Sequence, residues 1–327
     1  MAKTTRRTFI AMGLSSLMVP LSNARAVTRY PDRTIQLVVG FPAGQASDVG
    51  ARLMAQQMSE GFKRTIYVDN KAGASGIIAH QFVKNAQPDG YTLLYGSTGT
   101  LAINPFLYKQ LPYDPVKDFA PVVLLNRSPM FLVAAASVPV SNVQEMISYA
   151  KSKADEIAYG SAGIGTTQHI AMEMLKKHGG LDMLHVPYKG SPQMVTDLIA
   201  GRVQFAFDTS TSILPHAASG AVKLLGVSSL LRSDVSPDTP TLAEQGLSGF
   251  EATTWAGLLA PAGVSRDTID ILNAAANASL GSPAVLDYHK RNGTVPIGGS
   301  PDQFAQFLAQ EQTKWGAAVI ASGANLG

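Results

Sequence analysis

The pattern that most constrains the fold is a repeated alternation of short β-rich runs with longer amphipathic stretches. Residues 35–40 form an apolar run of strand length, and residues 49–62 then place their apolar side chains on one helical stripe. Further strand-length runs at residues 91–95, 157–159 and 204–207 are each followed by a short polar loop. Such alternation is typical of mainly parallel sheets covered by helices. The sequence therefore predicts an α/β fold.

The C-terminal part of the chain continues this pattern with one strand and three helices. The strand is predicted at residues 252–259, and the helices at residues 266–280, 283–292 and 301–322. We expect these helices to return to the N-terminal lobe.

Two stretches rich in Pro, Ser and Asp divide the chain into lobes. Residues 111–129 contain four prolines, and residues 233–240 precede the final strand and helices. The predicted lobe 1 comprises residues 27–125 and 252–327, and lobe 2 comprises residues 126–251. Two lobes joined by two crossings form a hinge and leave a cleft between them.

The N-terminus has the features of an export signal. Arg6 and Arg7 form a twin-arginine pair before an apolar stretch, and Ala24-Arg25-Ala26 is a small-x-small cleavage site. The apolar stretch is shorter than the about 20 residues of a transmembrane helix. We predict that residues 1–26 are a twin-arginine-type signal and that the mature chain is a free protein of the periplasm.

Charge and residue usage argue against several classes of function. Four of the 26 basic residues and none of the 23 acidic residues lie in the predicted signal, so the mature chain is nearly neutral. A neutral chain without basic runs is a poor partner for nucleic acid. The absence of cysteine excludes disulfides and thiolate metal sites. With six scattered histidines and no G-x-S-x-G, H-E-x-x-H or Walker A motif, we predict no catalytic residue, metal or cofactor.

Four short loops that follow predicted strands share one composition. Residues 41–48, 96–100, 161–167 and 208–211 are rich in small and hydroxyl side chains and nearly free of basic ones. Ligands of open α/β sheets bind beyond the carboxyl ends of the strands, where glycines permit close approach and helix N-termini present N–H groups. Ordinary helix capping explains any one of these loops. Four of them together favour a binding site for a carboxylate.

The same loops belong to a series of motifs that resembles the Bug-type (TctC-like) periplasmic receptors of tripartite tricarboxylate transporters. The motifs include F-P-A-G-x-x-S-D from Phe41, P-D-G-Y-T-L-L from Pro88, S-A-G-I-G-T-T-Q-H from Ser161 and H-V-P-Y-K-G from His185. The resemblance covers essentially the whole predicted mature chain. It implies a type II periplasmic-binding fold of two lobes, with a carboxylate held between them by the loops, backbone amides and ordered water.

The resemblance also implies which residues contact the ligand. Gln45 and Ala46 stand where the family usually has glycines, which implies a narrower pocket wall or an additional amide group. The implied ligand-binding residues are Phe41, Pro42, Ala43, Gly44, Gln45, Asp48, Ser97, Thr98, Ala162, Gly163, Thr166, Thr167, His169 and Asp208.

These observations predict a monomeric periplasmic solute-binding protein, not an enzyme. The sequence leaves open whether its ligand is a mono- or dicarboxylate, aliphatic or aromatic, and which permease subunits of a tripartite transporter receive it. A periplasmic sensor that feeds a signalling receptor would use the same cleft. A periplasmic enzyme acting on a carboxylate would need a nucleophile, and the loops offer no convincing one.

Overall fold

The order of elements along the chain follows the predicted alternation. The computed structural model describes residues 1–2, 30–153, 156–324 and 326. The twin-arginine pair and the predicted cleavage site lie outside the described residues. Among the helices that are described, none combines the length and apolar character needed to cross a membrane.

The described strands and helices alternate over most of the chain. The strands are β1 (Ile35–Val39), β2 (Ile66–Asn70), β3 (Thr92–Ser97), β4 (Phe119–Ala135), β5 (Ala158–Ser161), β6 (Leu184–Pro187), β7 (Phe205–Thr209), β8 (Val222–Val227), β9 (Thr253–Pro261) and β10 (Val295–Gly298). The helices are α1 (Ala46–Phe62), α2 (Ile77–Lys84), α3 (Asn104–Leu107), α4 (Val143–Ser152), α5 (Thr167–Gly179), α6 (Ser191–Ile199), α7 (Ser210–Ala218), α8 (Arg266–Leu280), α9 (Pro283–Asn292) and α10 (Pro301–Ser322).

One long strand, β4, is shared by two sets of strands. The strand order is β2-β1-β3-β9-β4-β7-β5-β6, and β8 and β10 also pair with β4. Residues 119–129 of β4 pair with β9, whereas residues 130–135 pair with β7 and β8. Within each set the strands that carry the predicted loops are parallel: β1 with β2 and β3, and β5 with β6 and β7.

We use lobe 1 for β1–β3, β9, β10 and the first part of β4 with α1–α3 and α8–α10. Lobe 2 comprises the second part of β4 and β5–β8 with α4–α7. The two-lobed α/β fold is the predicted one, while the exact lobe ranges stay a prediction. Helix α10 packs against β4 and also against α5, so it contacts both lobes.

The chain crosses between the two sets of strands at two places. The first predicted crossing, residues 111–129, contains part of β4, so this connection is a paired strand. The second predicted stretch, residues 233–240, precedes the return and still borders β8, because Val227 N donates to Pro240 O at 3.0 Å. The return occurs at Ala252 and Thr253, where Ala252 N donates to Ser228 O and Thr253 pairs with Pro129.

The three C-terminal helices have clear start signals in the sequence. The side chains of Ser265, Ser282 and Ser300 are N-caps of α8, α9 and α10 and accept backbone N–H groups of the first turn. Proline at the first position of α9 and α10 fits because that N–H has no helical acceptor. These helices therefore begin and end where the sequence predicts them.

Candidate ligand-binding site

A cavity of about 1300 Å³ lies between the two lobes. It is lined by the loops that follow β1, β2 and β3 in lobe 1 and by those that follow β5, β6 and β7 in lobe 2. All six loops leave the carboxyl ends of parallel strands, the position at which α/β sheets bind ligands. The four loops expected from the sequence are among them.

Most of the residues expected to bind ligand line this cavity. Ala43, Asp48 and His169 are not among its lining residues. The contact of the others with a ligand stays a prediction. Those that line the cavity are Phe41, Pro42, Gly44, Gln45, Ser97, Thr98, Ala162, Gly163, Thr166, Thr167 and Asp208.

Asp48 holds the loop after β1 in shape. Its buried carboxylate accepts Gly44 N at 2.8 Å, Arg52 Nε at 3.0 Å and Asn70 Nδ2 at 2.8 Å. Burial alone would raise the pKa of Asp48, but hydrogen bonds from Arg52, Gly44 and Asn70 outweigh it, and the pKa is lowered. Every donor to this carboxylate is a group of the protein. The ionised Asp48 therefore stabilises the loop and does not line the cavity.

The loop after β5 is closed by Thr166. Its hydroxyl donates to Gly163 O at 2.8 Å and accepts His169 N at 3.4 Å, which makes Thr166 the N-cap of α5. Gly165 has a φ of 75° and packs against Leu107 of lobe 1, where an added Cβ would lie 1.9 Å from a Leu107 methyl. The hydroxyl of Thr166 therefore shapes the loop, which leaves backbone groups and Thr167 to face the cavity.

His169 supports the loop after β5 without lining the cavity. Its Nδ1 accepts Gly165 N at 3.1 Å, and its ring stacks on His185 with centroids 3.9 Å apart. His185 Nε2 in turn lies 2.7 Å from Ser161 Oγ. Burial lowers the pKa of His169 and, together with the nearby His169 and Lys176, lowers the pKa of His185 to about 3. Both rings are neutral at neutral pH, which permits them to stack.

Asp208 joins the loops of lobe 2. Its fully buried carboxylate accepts Ser191 Oγ at 3.0 Å, Ser212 Oγ at 2.9 Å and Thr209 N at 2.8 Å. Burial raises the pKa of Asp208 despite these hydrogen bonds. Ser210, two residues on, donates to the carbonyl of Asn292 in lobe 1. These hydrogen bonds connect the loops after β6 and β7 within lobe 2. The hydrogen bond of Ser210 also connects lobe 2 to lobe 1.

Gln45 faces lobe 2 across the mouth of the cavity. A Cβ placed on Gly190 would lie 3.7 Å from Gln45 Nε2, which is ordinary contact distance. Gly190 precedes α6 and has a φ of 140°, a backbone conformation that favours glycine. The residue expected to narrow the pocket wall thus lies next to the opposite lobe.

Several groups of lining residues were not predicted as site residues, among them residues 72–76 of the loop after β2. In the loop after β6, Tyr188 and Lys189 belong to the motif from His185 that carried part of the resemblance, and Ser191 follows it. That motif was the signal by which this loop could have been found. Tyr288 and His289 of α9 also line the cavity. They lie inside a helix, and no loop signature marks them.

Comparison with known proteins agrees with this geometry. The chain matches the family described as tripartite tricarboxylate transporter family receptor over residues 50–324. It is 36% identical to a UPF0065 protein of Pseudomonas sp. (strain P51), covering 98% of this chain and 95% of the relative. It is 33% identical to Protein BugT of Bordetella pertussis, covering 91% of each.

Solved structures show the same two-lobed architecture. The R. palustris protein Rpa4515 with adipate has a TM-score of 0.84 at 35% identity and covers 90% of this chain and 98% of its own. MatC of Rhodopseudomonas palustris with bound malate has a TM-score of 0.81 at 32% identity, covering 89% and 100%. Periplasmic binding protein BugD has a TM-score of 0.81 at 34% identity, covering 90% and 99%. The chain therefore belongs to the receptor family of tripartite tricarboxylate transporters, as its Bug-type motifs predicted, and has that family's two-lobed solute-binding fold.

Proposed function

We propose that the cavity captures a small carboxylate and that the loaded protein delivers it to the permease subunits of a tripartite transporter. The observation that carries this proposal is the convergence of six strand-end loops from both lobes on one cavity. The similar structures with adipate and malate support a carboxylate as the class of ligand.

Backbone groups are the proposed donors to the carboxylate. Thr167 and Gln168, the first two residues of α5, line the cavity, and the first N–H groups of a helix have no helical acceptor. The positive end of the helix dipole favours an anion at the same place. A hydrogen bond to a charged group contributes ~1.5–3 kcal/mol, so a few such donors hold a carboxylate without arginine.

We also propose that the protein binds its ligand without chemical change. Ser161 and His185 are within hydrogen-bond distance, but the Ser161 side chain is fully buried and also donates to Gly163 O at 3.0 Å. A histidine with a pKa of about 3 is a poor general base at neutral pH. This pair therefore supports the loop.

Titration of the purified mature chain, residues 27–327, with malate and adipate tests the function. A ligand at 100 times its dissociation constant adds about 2.7 kcal/mol to the unfolding free energy, so saturable thermal stabilisation is expected. Proton NMR of the recovered ligand should show no product. Absence of stabilisation by every carboxylate of a broad panel would contradict the proposal, and turnover would contradict the non-enzymatic role.

A further inference from the structure

The cavity is also lined by a group of apolar residues of lobe 1 that lie outside the six loops. We call this part of the lining the apolar arm. Its residues come from α1, the end of α8, α9 and strand β4. Its walls are Val49, Leu53, Met54, Leu125, Leu280 and Tyr288.

Closure of the lobes leaves the apolar arm in place, because every one of its walls is part of lobe 1. Pockets for drug-sized ligands measure about 300–1,000 Å³, and the whole cavity here is about 1300 Å³. Val49 lines the cavity and is 42% exposed although it is apolar. An unoccupied apolar surface inside a binding cavity gains free energy when an apolar part of a ligand covers it.

Beside the apolar arm, α9 contributes a polar but uncharged side chain to the cavity. His289 lines it, and its Nδ1 lies 2.5 Å from Thr294 Oγ1, so the Nε2 edge is the one available to a ligand. Burial lowers the pKa of His289 to about 4, so the ring is neutral at neutral pH. Among the described lining residues the charged side chains are Lys189 and Asp208, and both lie in loops of lobe 2.

A second carboxylate would therefore be a poor fit for the apolar arm. Moving an ion out of water is costly unless an opposite charge or several donors replace the water. The arm has no lysine or arginine among its walls, whereas a hydrocarbon chain or ring gains by leaving water.

We propose that the ligand of this receptor is a monocarboxylate with an apolar body, a hydrocarbon chain or an aromatic ring, whose far end carries no charge. The carboxylate is held by the loops at the lobe interface, and the body lies in the apolar arm. This proposal rests on the proposed carboxylate-binding function and makes the specificity of this chain differ from that of the relatives with malate and adipate.

Calorimetric titration with butanoate, hexanoate, octanoate, 3-phenylpropanoate and adipate tests the proposal. Each methylene that enters the arm should strengthen binding about fourfold, so octanoate should bind at least tenfold more tightly than adipate. Equal or tighter binding of adipate would overturn the apolar-body proposal and leave the receptor function standing. If none of the five acids binds, the apolar-body proposal fails, and the broad carboxylate panel then decides the receptor function.

A substitution that fills the apolar arm tests whether the body of the ligand lies there. Leu53→Trp should weaken octanoate binding at least tenfold and change butanoate binding less than twofold. Gln56→Trp, on the exposed side of the same helix, is the matched control and should change neither. If Leu53→Trp does not fold, Val49→Trp makes the same test from a more exposed position. Unchanged octanoate binding in a folded arm variant would overturn the placement.

Discussion

The carboxylate of Glu311 in α10 accepts the indole N–H of Trp255 in β9 at 2.7 Å. The same oxygen accepts Trp315 Nε1 at 2.8 Å, and Lys314 Nζ lies 2.6 Å from the other oxygen. Trp255 pairs with Arg127 of β4 where the chain returns to lobe 1. The last helix is therefore fastened by one buried carboxylate to the strands that connect the lobes.

Replacement of Glu311 by alanine should lower the unfolding free energy by about 3 kcal/mol, because it leaves two buried indole N–H groups without their acceptor and removes the nearer of the two carboxylates beside Lys314. Urea denaturation followed by tryptophan fluorescence measures the change. Asp287→Ala removes an exposed ion pair with Arg291 and is the control, with an expected effect of about 0.5 kcal/mol or less. Equal effects of the two substitutions would show that the carboxylate has no special role.

Local signals in the sequence predicted some parts of the fold well. The three C-terminal helices carry serine caps and initial prolines, which act within one helical turn. The first part of strand β4 was missed because its prolines suggested a linker. In the structure Pro121 lies at a register shift with β9, a position at which a strand tolerates proline. This tolerance depends on a partner strand more than 130 residues away, which no local pattern reveals.

The same distinction holds for the site. Four of the strand-end loops were predicted because their small and hydroxyl residues directly follow a strand in the sequence. The position of His169 in α5 depends on stacking with His185 of β6, and the apolar arm depends on packing of α9 against α8 and β10. Both arise from tertiary contacts, so the sequence placed His169 in the cavity and left Tyr288 and His289 out.

Stability should fall as the pH drops below about 6.5 because buried histidines must remain neutral in the folded protein. Burial lowers the pKa of His185 to about 3 and that of His80 to about 4 from the model-peptide value of 6.5. Between those values the unfolded chain binds more protons than the folded one. The unfolding free energy therefore rises with pH across this window. The stability that the neutral histidines contribute is lost as the pH falls through the same window.

The loss due to the fully buried His80 reaches about 2 kcal/mol near pH 5, and that due to the partly exposed His185 is smaller because solvent screens it. Urea denaturation at several pH values between 7 and 4 measures the slope. His185→Gln should be less stable at neutral pH, since it loses the stacked ring, but its stability should depend less steeply on pH. An unchanged slope would rule out His185 as a source of the acid sensitivity.

The two threonines at the start of α5 should differ in what they contribute. Thr166→Val removes the N-cap and the hydrogen bond to Gly163 O, so it should lower the unfolding free energy by about 1 kcal/mol and weaken ligand binding through the loop. Thr167→Val should leave stability nearly unchanged and weaken binding by roughly tenfold if its hydroxyl contacts the carboxylate. Calorimetry and denaturation of both variants separate the roles. Wild-type affinity in both would leave backbone amides and water as the donors.

Export should depend on the twin-arginine pair. We expect Arg6→Lys with Arg7→Lys to leave uncleaved precursor in the cytoplasm, whereas the wild-type chain should begin near Val27 in the periplasm. Cell fractionation with N-terminal sequencing measures both. Arg33→Lys with Arg64→Lys, outside the signal, is the control. Normal export of the signal variant would show that the general secretion route suffices.

Gln45 should limit the shape of ligand that enters the cleft. Its side chain lies beside Gly190 of the opposite lobe, so removing it opens a space between the lobes that a branched or bulkier carboxylate can use. Gln45→Gly should therefore raise the affinity for 2-methylhexanoate relative to hexanoate by several-fold. It should cost little stability, because Gln45 makes no side-chain cap for α1 and glycine is acceptable at that position.

The affinity ratio of the two acids, measured by calorimetry, is the informative quantity because any general weakening of the loop cancels in it. Gln56→Gly would weaken α1 itself, so Gln56→Ala is the better control for loss of an amide on the same helix. An unchanged ratio in Gln45→Gly would mean that the side chain points away from the ligand. A ratio that changes only in Gln45→Gly would make Gln45 a determinant of specificity.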